Sequence, residues 1–185
     1  MGGKSTFLRQ CALISVLAQT GLFVPCSEAR LGIFRQIFSR IGSSDDLAAN
    51  QSTFMVEMNE TSYILKNANN KSLIIMDEVG RGTSTKDGLS IALAIIKHIA
   101  TESKSLCIFA THYHELSTLI EKHKIPNVAF HQAACHIDEN EQLSCLYQII
   151  PGVMNKSHGI HIAKLAGIPQ SVIQDANYFL KSIGS

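Results

Sequence analysis

The chain has no tryptophan, and aromatic residues make up only 6% of its 185 positions. A platform that holds single-stranded nucleic acid by stacking bases on rings is therefore disfavoured. Charge of one sign is not in excess either: 16 basic residues against 15 acidic ones leave a formal net charge of +1. No global field holds DNA or a lipid surface, so a nucleic-acid role must come from a local patch, a partner or further domains. The cysteines Cys11, Cys26, Cys107, Cys135 and Cys145 are odd in number and no two are spaced C-x-x-C. A disulfide framework or zinc ribbon is disfavoured, and the thiols are expected to be small buried hydrophobes in a reducing compartment. Among the histidines only His112 and His114 are close enough to suggest a metal pair, and no Cys or carboxylate cluster accompanies them. The longest apolar stretch, 12–24, is broken by Ser15, Gln19, Thr20 and Gly21, too interrupted for a bilayer span. The chain does have core-forming residues: 45% are hydrophobic and 17% charged, enough for one ordinary domain with or without a small appendage.

The N-terminus admits three readings. Gly2 followed by Thr6 fits a myristoylation pattern. Lys4 and Arg9 ahead of the apolar run 11–18 resemble a signal peptide. These two exclude each other, and a third accounts for the same residues better. Gly3-Lys4-Ser5 is the tail of the phosphate-binding pattern G-x-x-x-x-G-K-[ST], with Gly2 and Thr6 beside it. Loop amides and a helix N-terminus cradle phosphates, Lys4 would reach the β/γ oxygens, and the Ser5 hydroxyl would bind Mg²⁺. A helix over 5–18 should follow, with its apolar residues against a sheet. The first glycine of the pattern would lie five positions before Gly3, upstream of Met1. The motif and its leading strand are thus expected to be cut by the start of the chain.

A second element supports the third reading. Leu73-Ile-Ile-Met76 reads as a buried parallel strand that ends in Asp77 and Glu78. A strand-terminal Asp is where nucleotide hydrolases of this kind hold Mg²⁺. The Glu beside it is placed to polarise an attacking water. Val79-Gly-Arg-Gly-Thr-Ser84 reads as a glycine turn into a helix capped by Thr83 or Ser84. A third strand, 106–110, runs into Thr111-His112, again a polar group at a strand's C-terminal end, which makes His112 a candidate γ-phosphate sensor. Further on, 127–136 and 143–150 flank the polar turn 138–141 and suggest a hairpin closed by Pro151-Gly152. Helices over 158–166 and 170–183 follow, broken at 167–169. Their helix-turn-helix outline holds Lys156, Lys164 and Lys181 but no arginine over 155–185, less basic than a DNA-reading helix should be.

These motifs resemble the ATPase domain of the MutS mismatch-repair family. The resemblance runs through Met1-Gly-Gly-Lys-Ser-Thr-Phe-Leu-Arg-Gln10, Phe23-Val-Pro25, Ile41-Gly-Ser-Ser-Asp-Asp46 and Ser52-Thr-Phe-Met-Val-Glu-Met58. It continues in Asp77-Glu-Val-Gly-Arg-Gly-Thr83, Ala110-Thr-His-Tyr-His-Glu-Leu116, Ser157-His-Gly-Ile-His161 and Ala163-Lys-Leu-Ala-Gly-Ile-Pro169. The wording looks most like the bacterial or mitochondrial branch.

The resemblance implies an α/β P-loop NTPase of the ABC type: a mostly parallel sheet flanked by helices, with an ATPase domain over 1–154 and a helix-turn-helix-like dimerisation segment over 155–185. It implies ATP and Mg²⁺ as cofactors, with Ser5 and Asp77 at the metal, Glu78 and His112 as catalytic groups, and His112 as the switch histidine. Gly2, Gly3, Lys4, Ser5, Thr6 and Asp77 would contact nucleotide. Ser52 and Thr53 would open a helix over 52–67, with Met55, Met58, Ser62 and Leu65 on one face, and reach a partner's γ-phosphate. Arg81 and Thr83 would lie at the dimer interface, and Tyr147 would stack on adenine. Implied partners are a second MutS-type subunit in a homo- or heterodimer, mismatched double-stranded DNA through domains absent here, and a MutL-type protein, with no membrane. The implied location is intracellular: bacterial cytoplasm, or mitochondrion or nucleus in a eukaryote. Alone, such a piece is expected to be impaired in catalysis. The alternatives are a non-catalytic dimerisation module or another ABC-type ATPase. The latter carries L-S-G-G-Q where this chain has Ser-Thr-Phe-Met-Val-Glu-Met.

Overall fold

A continuous apolar run such as Leu73–Met76 can bury both of its faces only inside a sheet covered on two sides. The computed structural model of the chain describes residues 3–42, 53–137, 143–154 and 159–183. In it, β2 (Ser72–Asp77) lies between β1 (Gln36–Arg40) and β3 (Leu106–Ala110), and both pairings are parallel. Strand alternation sends successive β2 side chains to opposite faces. Ile74 and Met76 join Ile64 of α2 (Thr53–Asn67), Ile95 of α3 (Thr85–His98) and Ile99 in one apolar cluster. Leu73 and Ile75 join Leu8 of α1 (Lys4–Gln19) and Ala110 in a second. One helix therefore covers one face of the sheet and two cover the other. A fourth helix, α4 (Glu115–Lys122), packs beside α3.

Contacts at both ends of α1 fix its direction. Near its C-terminal end, the Gln19 amide bonds both the carbonyl and the N–H of Phe34, just ahead of β1, at 2.9 and 2.7 Å. Near its N-terminal end, Leu8 joins the cluster that includes Ala110, the last residue of β3. The helix thus runs antiparallel to the strands and aims its N-terminus toward their C-terminal edge.

Residues Gly3–Ala129 form one compact unit and Phe130–Ser185 belong to another. In the second, β4 (His131–Ile137) and β5 (Leu143–Pro151) form an antiparallel pair, with a register irregularity between Ala133 and Cys135. Helices α5 (Gly159–Leu165) and α6 (Gln170–Ile183) pack on each other. Among the described residues no helix is long and apolar enough to cross a membrane.

The strands at 73–76 and 106–110 and the helix over 170–183 stand where the sequence places them, and the hairpin is present with its first strand starting at His131 rather than at 127. Other expectations are corrected. β1, Gln36–Arg40, has only two strongly apolar residues, Ile37 and Phe38, which are adjacent and show no alternation, so the sequence offers little strand signal there. The buried stripe of α2 is Glu57, Thr61 and Ile64, with Met58 and Leu65 packed beside it, whereas Met55 is exposed. Glu57 faces inward because Arg40, itself buried, supplies its counter-charge. Cys26 is exposed, and the other four thiols are partly rather than fully buried.

Candidate functional site at the C-terminal edge of the parallel sheet

Parallel strands deliver their C-terminal ends to one edge, where α/β proteins gather ligands. Here that edge presents Arg40 from β1, Asp77 from β2 with Glu78 just beyond it, and Thr111-His112 just beyond β3. The Glu78 N–H still donates to the Ala110 carbonyl at 2.9 Å, so the β2–β3 ladder reaches one residue past the strand. The backbone then turns sharply, with Glu78 itself at φ 51°. Arg40, Thr53, Glu57, Asp77, Glu78 and Arg81 line an open cleft of about 300 Å³.

The walls of the cleft are tied together by a buried polar network. The Arg40 side chain is 6% exposed, and its Nη2 lies 3.5 Å from Glu57 Oε2. Arg40 Nε lies 3.0 Å from Glu60 Oε2, an ion pair outside hydrogen-bond geometry. Arg40 Nη1 is buried without a hydrogen-bond partner among the described residues. The second Glu57 oxygen accepts a short hydrogen bond from the Gly80 N–H. The Gly80 carbonyl in turn accepts from the Tyr113 hydroxyl at 2.8 Å. Gly80 has φ +91°, a backbone state that L side chains rarely adopt, and a Cβ there would lie 2.7 Å from the Gly88 carbonyl oxygen. The loop after β2 is thereby pinned from α2, from α3 and from the segment after β3. Burial first, then the Glu57 and Glu115 carboxylates, push the Tyr113 phenol above its ordinary value, which keeps it a donor.

The other groups at this edge face solvent. Glu78 Oε2 pairs with Arg81 Nη1 at 2.8 Å, and Arg81 is 74% exposed. Gly82 packs against Phe54 in the first turn of α2, where a Cβ would come 3.0 Å from Phe54 Cβ. That contact holds the Arg81–Thr83 turn beside the N-terminus of α2. Ser84 caps α3, its hydroxyl accepting from the Asp87 N–H at 3.2 Å. His112 is exposed, with its ring 4.2 Å from that of Tyr113.

Not every residue singled out from the sequence comes together. Thr53, Asp77 and Glu78 share the cleft; Gly3, Lys4, Ser5 and Thr6 open α1 at the same sheet edge but do not line it. Gly2 and Ser52 lie outside the described residues. Tyr147 belongs to the second compact unit, in β5, with φ 53° and 79% exposure. Arg40, Glu57 and Tyr113 were missed as a group. No local signal marks them, because β1 and α2 both carry other polar residues.

The donor chemistry suits a magnesium nucleotide. Ser5 and Asp77 carry hard oxygen ligands of the kind Mg²⁺ takes. Gly3, the N-cap of α1, has a left-handed φ of 75° and offers no side-chain cap. The first turn of α1 holds no acidic residue. Its first amides thus have no side-chain acceptor among the described residues, the arrangement a bound anion could complete.

Comparisons with known proteins place the chain in a family. Residues 1–184 match the family described as MutS domain V. The chain is 52% identical over 185 residues to the DNA mismatch repair protein MutS of Caldicellulosiruptor bescii, covering 99% of this chain and 21% of that protein. It is 54% identical over 185 residues to the protein of that name from Caldicellulosiruptor saccharolyticus, with the same coverage. For Orientia tsutsugamushi strain Ikeda the figures are 52% over 180 residues, 97% and 20%. The chain thus spans about a fifth of the length of the curated relatives it matches.

Proposed function

Because the chain belongs to the MutS family, through its domain V, we propose that it is the ATP-binding and hydrolysing part of a DNA mismatch repair protein, a P-loop ATPase of the ABC type. In that role ATP turnover switches a mismatched-DNA clamp within a composite dimer. One observation carries the reading: the acidic pair Asp77-Glu78 ends the central parallel strand at the edge toward which α1 directs Gly3, Lys4 and Ser5.

Mg-ATP bound there supplies a γ-phosphoryl group whose charge the metal partly neutralises. Lys4 and the first amides of α1 bind phosphate oxygens. Ser5 and Asp77 hold the metal. Glu78 orients a water and draws on its proton, while its partner Arg81 restrains the carboxylate. His112 stands beyond β3 to sense the terminal phosphate. The Glu57–Gly80–Tyr113 clasp keeps the Glu78 loop in one conformation, so positioning rather than covalent chemistry lowers the barrier.

The partner is a second MutS-type subunit. Exposed Thr53 at the N-terminus of α2 is available to its phosphates. In α6 the exposed apolar side chains Val172, Phe179 and Ile183 suit a dimer contact. Mismatched DNA and a MutL-type protein are partners of the longer protein, and the setting is intracellular.

Photo-crosslinking with an azido-ATP analogue in Mg²⁺ tests the reading. ATP should compete the label away, and Lys4→Ala and Asp77→Ala should each weaken labelling at least about tenfold, as expected for loss of a charge-assisted phosphate or metal contact. Equal labelling of both variants and the unmodified chain would overturn it.

A further inference from the structure

The hairpin of the second compact unit sets two cysteines opposite each other. Cys135 of β4 and Cys145 of β5 are Cα partners in the antiparallel register, immediately beyond the irregularity at Ala133. Directly opposed residues of such a pair lie about 4.5–5.5 Å apart at Cα, within the roughly 4.4–6.8 Å that disulfides span. Their side chains project on the same face. Both are partly exposed, so a small reagent reaches them. The other thiols have no such arrangement. Cys107 packs into the cluster on the α2 and α3 face of the parallel sheet, whereas Cys11 belongs to α1 on the opposite face. Cys26 stands exposed in a connecting segment.

We propose that Cys135 and Cys145 form a redox modification site, a cross-strand dithiol that a small-molecule disulfide oxidises to an intramolecular disulfide. One thiol loses its proton to solvent, and its sulfur attacks the reagent, breaking the reagent's S–S bond and expelling one thiolate. The opposed cysteine, deprotonated in turn, attacks the protein sulfur of this mixed disulfide and expels the second thiolate. The protein loses two electrons and two protons, and the reagent becomes two thiols. Burial, then the neighbouring Cys145 thiol, pushes the Cys135 thiol up. The product would lock β4 to β5 on the turn side of the irregularity. Nothing in this site depends on nucleotide.

The test incubates the full chain with oxidised glutathione, alkylates the remaining thiols and maps the peptides by mass. The expected product is a peptide pair joined through Cys135 and Cys145, released by dithiothreitol, while Cys26 carries a glutathione adduct. In Cys135→Ser the adduct should accumulate on Cys145, and in Cys145→Ser on Cys135. The 135–145 link should exceed other pairings at least about tenfold in the folded chain, because proximity acts as a high effective concentration. The same reaction in concentrated urea should lose that selectivity. Separate adducts on both cysteines, two unreacted thiols after Cys26 is consumed, or equal selectivity in urea would each overturn the proposal.

Discussion

The Tyr113 hydroxyl donates to the Gly80 carbonyl at 2.8 Å, joining the segment after β3 to the loop after β2. The bond is buried, so Tyr113→Phe leaves a carbonyl without a partner. The variant should lose about 1–2 kcal/mol of stability, read as a lower urea midpoint at unchanged slope.

The same phenol makes a pH prediction. Burial and the Glu57 and Glu115 carboxylates hold it above 10.0, its ordinary value. Between that value and the folded one, the native chain keeps a proton that the unfolded chain has lost. Stability from this group is therefore full below pH 10 and falls as pH rises through the folded value. Tyr113→Phe lacks the group, so the stability gap between the two proteins should narrow above about pH 10. A gap that stays constant from pH 8 to strongly alkaline solution would contradict this.

Gly88→Ala sets two effects against each other. Alanine is better in a helix by about 1 kcal/mol. However, its Cβ would fall 2.2 Å from the Tyr113 hydroxyl and 2.3 Å from the Gly80 carbonyl oxygen. Overlap should win, with a net loss of at least about 2 kcal/mol in denaturant unfolding. Adding Tyr113→Phe should recover only part of it, because the collision with Gly80 is with backbone.

Glu57 should separate shape from charge. Glu57→Ala strips a buried guanidinium of a partner and the Gly80 N–H of its acceptor, and should cost about 3–5 kcal/mol. Glu57→Gln keeps an acceptor and should cost less. Glu60, half-exposed beside Arg40, remains in both. Calorimetry of the two variants would show the order, and a Gln variant as damaged as the Ala variant would place the whole effect in the lost charge.

Arg81→Ala should be nearly silent in stability, within about 0.5 kcal/mol, because its pairing with Glu78 is at the surface. Thermal unfolding of the variant checks this. A large destabilisation would mean that the turn depends on this ion pair rather than on the packing of Gly82 against Phe54.

Much of the sheet was readable without coordinates, because a run such as Leu73–Met76 has few solutions other than a central strand. The same reasoning located Asp77 and Glu78, since acidic residues after a buried strand must emerge at its end. The spacing of Gly3, Lys4 and Ser5 carried the phosphate-loop reading for a similar local reason, a fixed pattern within one turn of chain. Even the start of the helix at Gln170 follows from the break at Gly167–Pro169. Local pattern did not reveal β1 or the inward turn of Glu57. Nor did it reveal the meeting of Gly80, Gly88 and Tyr113, or the opposition of Cys135 and Cys145. Each of these depends on a partner far along the chain, and a charge or a glycine reads as surface or turn until its partner is known. The runs and spacing of apolar residues thus determined most of the buried segments and their secondary structure. Only tertiary folding decided which polar groups are buried with them, because burial of a charge or a carbonyl is tolerated only where another element brings its complement within hydrogen-bonding distance.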